Sequence, residues 1–246
     1  ARYIKAKRDL IALLTEQKLR IIDHAVTRGL DTSVRLKPSG IPWLGDIPGH
    51  WVTSRLKYCI SNIYYGGTPD TGVERYWSAD ESGTPWLMIA DISNFDIVHT
   101  SKKRLTREGL VSKGLKIVPS GAVLYTIYAS IGKVGMLGVE AAINQAILGL
   151  VPKHILKSKF LNYWLLSLER HIKYLANSNT QSNLNAMKVK SLPIFLPPYK
   201  EQEVICSYID SESQVFTEAI QHAKDEIALI REYRDRLITD VVTGQI

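Results

Sequence analysis

Metal-binding and disulfide-forming residues are scarce in this sequence of 246 residues, which has two cysteines, Cys59 and Cys206, and six histidines, none at a metal-ligand spacing. That scarcity argues against zinc-ribbon and zinc-protease sites and against a disulfide-stapled scaffold, each of which needs Cys or His at short fixed intervals. Long apolar runs are missing too. The longest uncharged apolar stretches, 121–131 and 141–152, fall short of the roughly 20 residues that a bilayer-spanning helix requires. No basic-then-apolar leader follows Ala1, so a reduced, cytoplasmic protein with no membrane association is expected. What is present is ample for folding: 45% of the residues are hydrophobic, enough in a chain of this length for one large domain or two smaller units.

The formal charge of +7 is unevenly spread. Residues 1–30 carry 7 basic and 3 acidic groups, residues 31–198 carry 19 and 11, and residues 199–246 carry 5 and 10, giving +4, +8 and −5. A basic middle suits contact with a polyanion, because each neutralised phosphate releases counterions, whereas an acidic tail is better placed against protein. Charge alone leaves ordinary solvated surface as open a reading as nucleic-acid binding.

The sequence repeats itself at an offset of 216 residues. The segment 11–16 lies over 227–232, and Arg20, Ile22, Val26 and Thr27 match Arg236, Ile238, Val242 and Thr243, giving eight identities in twenty positions. Both copies place apolar residues at heptad spacing with charges between them, which predicts helices over 3–27 and about 200–243. In the second copy the seam holds Phe216, Ile220, Ala223, Ile227, Ile230, Leu237 and Val241. Lys18 and Arg234 interrupt the two seams at equivalent places; side chains this long are expected to snorkel to solvent, with a register-fixing buried position as the alternative. The second helix opens after Pro197-Pro198, stops at Gly244 and would be roughly 65 Å long if unbroken. A helix of that length needs a partner along its seam, and residues 3–27 are the candidate, within the chain or in a longer parent.

Between the helices, the Pro/Gly-rich stretch 37–48 marks a boundary. Residues 53–63 have helical spacing through Leu56, Ile60 and Ile63, while 85–92, 122–128, 133–139 and 146–151 read as short strands and 159–176 as an amphipathic helix. These elements do not alternate regularly, which predicts an α+β fold: a compact domain with short curved sheets, flanked by long antiparallel coiled-coil-type helices. The expected division is a helix over 1–30, a lead-in over 31–50, the mixed domain over 51–198 and the long helix over 199–246. Composition breaks at both ends of 40–197 suggest few contacts shared with the helices.

Catalytic patterns are incomplete. Pro197-Pro198-Tyr199 invites comparison with the tetrapeptide of amino-methylating DNA enzymes, but Leu196 stands where an Asn or Asp must accept a hydrogen bond from the target amine. Gly66-Gly67-Thr68-Pro69 lacks the lysine and hydroxyl residue of a phosphate loop, and Asp91 and Asp96 have no acidic-x-Lys element to complete a nuclease site. What remains is recognition chemistry. Lys102, Lys103, Arg104, Arg107, Lys113 and Lys116 form a basic stretch with one acid, Glu108, and the run 177–183 supplies Asn and Gln amides that could pair with base edges. Tyr64, Tyr65, Tyr125 and Tyr128 add flat surfaces.

Several segments, in order, resemble the DNA specificity subunits of type I restriction-modification systems. Ile41-Pro42-Trp43-Leu44-Gly45 with Trp51 resembles the lead-in, and Tyr65-Gly66-Gly67-Thr68-Pro69, Tyr76-Trp77, Pro85-Trp86-Leu87 and Asp91-Ile92 resemble the opening of a target recognition domain. Gly121-Ala122-Val123-Leu124, the segment 130–135, Asn144-Gln145-Ala146 and Thr180-Gln181-Ser182-Asn183-Leu184 are similar to its later signatures, and Leu196 to Gln202 is similar to the start of the spacer helix. One departure is Asn179 before Thr180-Gln181, where the family often has Gly.

The resemblance implies two recognition domains separated by antiparallel helices, each reading half of a split double-stranded DNA target. Only one such domain is present, and the chain enters its repeat in mid-helix, so the carboxy-terminal half of a longer subunit is expected; a short reader that self-associates through its helices is the alternative. By the same resemblance the chain is non-catalytic and holds no cofactor. Methyltransferase subunits carry S-adenosylmethionine, and a restriction subunit carries ATP and Mg. Candidate DNA contacts are Thr68, Lys102, Lys103, Arg104, Arg107, Lys133, Gln145, Thr180, Gln181 and Asn183, and candidate partner contacts on the long helix are Ile220, Ile227, Ile230 and Leu237. The rival readings are a recognition-domain fragment of an adenine-N6 DNA methyltransferase and a purely structural coiled-coil adaptor.

Overall fold

The computed structural model describes residues 2–92, 97–169 and 184–243. Helix α1 (Arg2–Arg28) turns its apolar stripe inward, burying Ile22, Ala25 and Val26 near its end. It stops at Gly29, whose φ of 71° lies in the left-handed region and whose N–H reaches the Ala25 carbonyl at 3.2 Å. A side chain there would also press on the Trp51 ring, its Cβ 3.3 Å away, so conformation and space both favour glycine.

Two short strands, β1 (Leu36–Pro38) and β2 (Asp46–Pro48), form a hairpin in the lead-in. The mixed domain then begins with β3 (Val52–Arg55), a single helical turn α2 (Leu56–Cys59) and β4 (Ile60–Tyr65). Here the helix expected over 53–63 is replaced by strand, turn and strand. Strand β3 pairs with β13 (Pro193–Leu196) and β4 pairs with β12 (Ile147–Pro152). Both partners lie far along the chain, where local apolar spacing cannot register them.

A five-stranded sheet has the order β4-β12-β9-β10-β7, built from β9 (Val123–Thr126), β10 (Val134–Leu137) and β7 (Ile97–Val98) with the two strands already named. A four-stranded sheet, β11-β6-β8-β5, joins β11 (Ala142–Ile143), β6 (Thr84–Leu87), β8 (Lys103–Leu105) and β5 (Trp77–Ser78). Helix α3 (Arg107–Ser112) follows β8 and is capped by the Thr106 hydroxyl, which accepts the Gly109 N–H.

Helix α4 (Ser158–Ser167) is enclosed on most sides, burying Phe160, Leu161, Trp164, Leu165 and Leu166 between α1, the five-stranded sheet and the long helix. A short α5 (Ala186–Ser191) leads into β13, and α6 (Tyr199–Val242) runs for 44 residues, about 66 Å at the usual rise.

Helices α1 and α6 pack antiparallel. The Tyr3 hydroxyl donates to Glu226 at 2.7 Å and Lys7 pairs with the same carboxylate at 2.6 Å, while Lys18 donates to the Thr217 hydroxyl at 2.8 Å. These partners hold the Glu226 carboxyl below the usual carboxylate range and raise the Lys7 ammonium. Beyond Ile227 the long helix runs past the start of α1. Lys18 corrects the expectation of snorkelling, because it is only 6% exposed and sits inside the seam.

One apolar cluster spans helices and domain, joining Ile22, Ala25 and Val26 of α1 and Ile205 and Ile209 of α6 to Trp51, Phe160, Trp164 and Phe195. The expectation of few shared contacts therefore fails: the amphipathic faces of both helices complete the domain core. Burial also silences the thiols, raising Cys59 and pushing Cys206 up to about 12.

The joint between domain and long helix is polar, and its central side chain is fully buried. Gln202 is 0% exposed; its Nε2 donates to the Ile155 and Pro197 carbonyls at 2.9 and 3.0 Å, and its Oε1 accepts the Lys157 N–H at 2.9 Å. Beside it, Glu201 accepts the Trp51 indole N–H at 2.9 Å and contacts His50 Nε2 at 2.7 Å. Replacing Gln202 with Leu strands three backbone groups at once, each costing roughly 1–3 kcal/mol when buried unsatisfied. Urea unfolding of Gln202→Leu should show a loss of about 3 kcal/mol or more, with Glu201→Gln milder.

Candidate nucleic-acid interface

Strand register gathers three loops at one end of the five-stranded sheet. Tyr65 pairs with Leu148, Thr126 with Ile147 and Val134 with Tyr125. The end of β4, the end of β9 and the starts of β10 and β12 therefore share an edge, and the loops 66–69, 127–133 and 144–146 stand there in a row.

The central turn is locked. The Ile147 N–H donates to the Asn144 carbonyl at 3.1 Å, and Asn144 Oδ1 accepts the Ala146 N–H at 3.1 Å. Its flanks are tied to both neighbouring segments: the Asn144 N–H donates to Leu87, the Ala146 carbonyl accepts Ile127 and the Ile143 carbonyl accepts Gly67. Gly66 has no room for a side chain, since a Cβ would lie 1.9 Å from the Asn144 carbonyl oxygen. The outcome is that the Thr68 hydroxyl donates to Gln145 Oε1. Two candidates that lie far apart in sequence meet at the tips of adjacent loops.

Two tryptophans hold the first loop from behind. Trp86 donates to the Gly67 carbonyl at 3.0 Å, Trp77 donates to the Asp70 carbonyl at 3.1 Å, and the rings meet edge-on with centroids 5.1 Å apart. The sequence shows both residues but hints at this part only through the indole N–H, which needs an acceptor when buried.

The third loop is pinned by Thr126. Its hydroxyl donates to the Ser130 carbonyl and accepts the Lys133 N–H at 2.9 Å, while its own N–H donates to the Lys133 carbonyl at 3.0 Å. The tip residues Tyr128, Ala129 and Ser130 are exposed, and Ala129 has a φ of 57°, a left-handed conformation that costs an L-residue energy. Lys133 is half-buried at the base of this loop. Glu169 lies against Gly132. Thr180, Gln181 and Asn183 lie outside the described residues.

The basic stretch divides by role. Lys102 and Arg107 are exposed, and Lys103 lies 5.0 Å above the Trp77 ring. Arg104 is turned inward on the molecule, donating to the Glu81 and Gly83 carbonyls at 3.1 and 2.8 Å. In the turn it braces, Ser82 and Ser78 hold the Asp80 carboxyl below its ordinary range. Among the helix candidates, Ile227 is buried, Ile220 and Ile230 are half-buried and Leu237 is exposed.

Nothing in this row arranges a nucleophile, base and orienter. The Tyr125 hydroxyl, below the loops, is pushed far up by burial and then by the Glu169 charge. Among the described residues no group of three His, Cys, Asp or Glu could hold a metal ion, and no helix is long and apolar enough to cross a membrane.

The structure is thus a mixed recognition-type domain set on an antiparallel helix pair, with rigid polar loops at one sheet end. Residues 48–229 match the family described as the type I restriction modification DNA specificity domain, and the chain belongs to that family. It is 25% identical over 193 residues to the type I restriction enzyme MjaIX specificity subunit of Methanocaldococcus jannaschii, covering 77% of this chain and 43% of that protein. It is 22% identical over 240 residues to the putative MjaX specificity subunit of the same organism, covering 96% of this chain and 52% of that protein. The chain spans about half the length of these curated relatives.

In fold it resembles the HsdS subunit from Thermoanaerobacter tengcongensis, with a TM-score of 0.59 at 18% identity over 99% of this chain and 56% of that one. It also resembles a chain from a structural study of complex assembly and conformational transition of the type I R-M system, with a TM-score of 0.64 at 19% identity over 96% of this chain and 54% of that one.

Bracing by Arg104 is separable from surface charge. Arg104→Ala should lower urea stability by about 1–2 kcal/mol, because two backbone carbonyls lose a charged donor, and Arg104→Lys should restore little. Lys102→Ala should leave urea stability within about 0.5 kcal/mol of the parent.

Proposed function

We propose that this chain reads one half of a bipartite double-stranded DNA target as the non-catalytic specificity component of a type I restriction-modification enzyme. The observation that carries this reading is the row of locked polar loops holding Thr68, Gln145 and Lys133 at one sheet end of a domain of this family. Exposed Lys102 and Arg107, with Lys103, provide cations of the kind that position a protein on phosphates. Thr180, Gln181 and Asn183 remain candidate DNA contacts. In this reading methylation and cleavage reside in partner subunits that carry S-adenosylmethionine, ATP and Mg, and the assembly works in the cytoplasm.

A methyltransferase fragment is the weaker reading. Leu196 ends β13 opposite Val52, and Pro198 opens α6, so the Pro-Pro-Tyr element serves as a strand-to-helix joint.

The internal repeat supports a second recognition unit at the far end of α6. Ile22, Ala25 and Val26, buried in the domain core, correspond to Ile238, Val241 and Val242, which are exposed. We assign those three residues to packing against another domain of the same kind, in a longer subunit or a second copy. Methyltransferase docking falls to the exposed Leu229 and Tyr233, with Leu237, on the part of α6 that runs past α1. Ile220, Ile227 and Ile230 support that surface from the seam side.

Exchanging residues 40–197 for the equivalent segment of another family member, with Ile22, Ala25, Val26, Ile205 and Ile209 matched to the incoming core, should change one half of the methylated sequence and leave the other unaltered. Sequencing of methylated bases in cells carrying the chimera is the measurement. An unchanged target in a stable assembly would place specificity elsewhere.

Docking has its own check. Leu229→Asp with Tyr233→Asp should abolish co-purification with the methyltransferase subunit while leaving the urea midpoint unchanged. Ile227→Asp should instead lower stability by about 3 kcal/mol or more, since it charges a buried seam position.

A further inference from the structure

We infer that Gln145 presents its amide NH₂ group to an acceptor atom of DNA, and that Thr68 is the residue that points it there. The inference rests on the DNA-reading function proposed above and adds a direction of hydrogen bonding to it. An amide has one acceptor oxygen and one donor nitrogen, so whichever end is engaged within the protein decides what the other end offers. The Thr68 hydroxyl donates to Gln145 Oε1. That leaves Nε2 with two N–H groups as the outward end of an exposed side chain.

An exposed glutamine ordinarily samples many rotamers, yet everything around this one is fixed. Its turn is closed by the Ile147 N–H on the Asn144 carbonyl and by the Ala146 N–H on Asn144 Oδ1. Thr68 sits in a loop whose Gly67 carbonyl accepts Trp86 and whose Gly67 N–H is held by the Ile143 carbonyl. Fixing a surface amide in advance removes the ordering cost from binding, which is what a contact residue needs and a solvated one does not.

The complementary groups on DNA are acceptors: a phosphate oxygen, or a base edge such as guanine O6 or thymine O4. Cytosine N4, which only donates, does not complement that outward NH₂ group. Thr68 acts through Gln145 and is a positioning residue.

The test uses the full chain and a pool of randomised DNA duplexes, with enriched sequences and affinities measured for the parent, Gln145→Glu, Thr68→Val and Thr68→Ser. Glutamate keeps the oxygen that Thr68 engages and turns the outward donor into an acceptor. If the partner is a base, Gln145→Glu should shift one enriched position from guanine or thymine towards cytosine or adenine and leave the others unchanged. If the partner is a phosphate, affinity should fall roughly tenfold for every sequence with no change in those enriched. In both cases Thr68→Val should move the same readout in part and Thr68→Ser should restore it, with urea midpoints unchanged throughout. Parent-like sequence and affinity in Gln145→Glu, or a parent-like Thr68→Val, would overturn the inference and leave the recognition reading standing. A parent chain that enriches no sequence would overturn the recognition reading itself.

Discussion

Glu201 and Gln202, side by side in the first turn of α6, join three parts of the chain that would otherwise have no reason to meet. Gln202 enters the core with three hydrogen bonds to backbone groups of the 155–157 and 197 segments, and Glu201 reaches Trp51 and His50 in the lead-in. An acidic residue in a helix's first turn also complements the macrodipole. The end of α1 closes on the same place, because Gly29 leaves room for the Trp51 ring. Once this corner is made, the directions of both helices relative to the domain are set, and α4 is enclosed between them.

The seam between α1 and α6 follows from that corner. Apolar residues at heptad spacing supply most of its burial, and Lys18 with Thr217 adds one polar contact at a defined height. Sliding the helices by a turn would cost that hydrogen bond as well as packing. At the other end, Tyr3 and Lys7 converge on one carboxylate, Glu226.

Legibility varied with how local the cause was. The heptads and the Pro-Pro start made the long helix readable almost to the residue, Tyr199–Val242 against 200–243. The strands around 123–126, 134–137 and 147–152 were readable because each is a short apolar run between turn residues. Residues 53–63 misled because Leu56, Ile60 and Ile63 do have helical spacing, and only pairing with β12 and β13 reveals them as mostly strand. Thr68 and Gln145 were nameable one by one, but their hydrogen bond depends on a register between segments 77 residues apart. Arg104 is the converse case: its charge suggested phosphate, while its neighbours Glu81 and Gly83 use it as a brace.

The shared core makes α6 a lever. Its first turns are embedded through Gln202, Ile205 and Ile209, with Pro197-Pro198 immediately before them, while its last turns stand clear of α1. Over about 66 Å, a tilt of about 5° displaces the far end by about 6 Å, and the same rigidity works in reverse. A push on the exposed end would arrive at the domain as a rotation of the whole loop row. A torque on that end would turn the sheet edge where Thr68 and Gln145 stand.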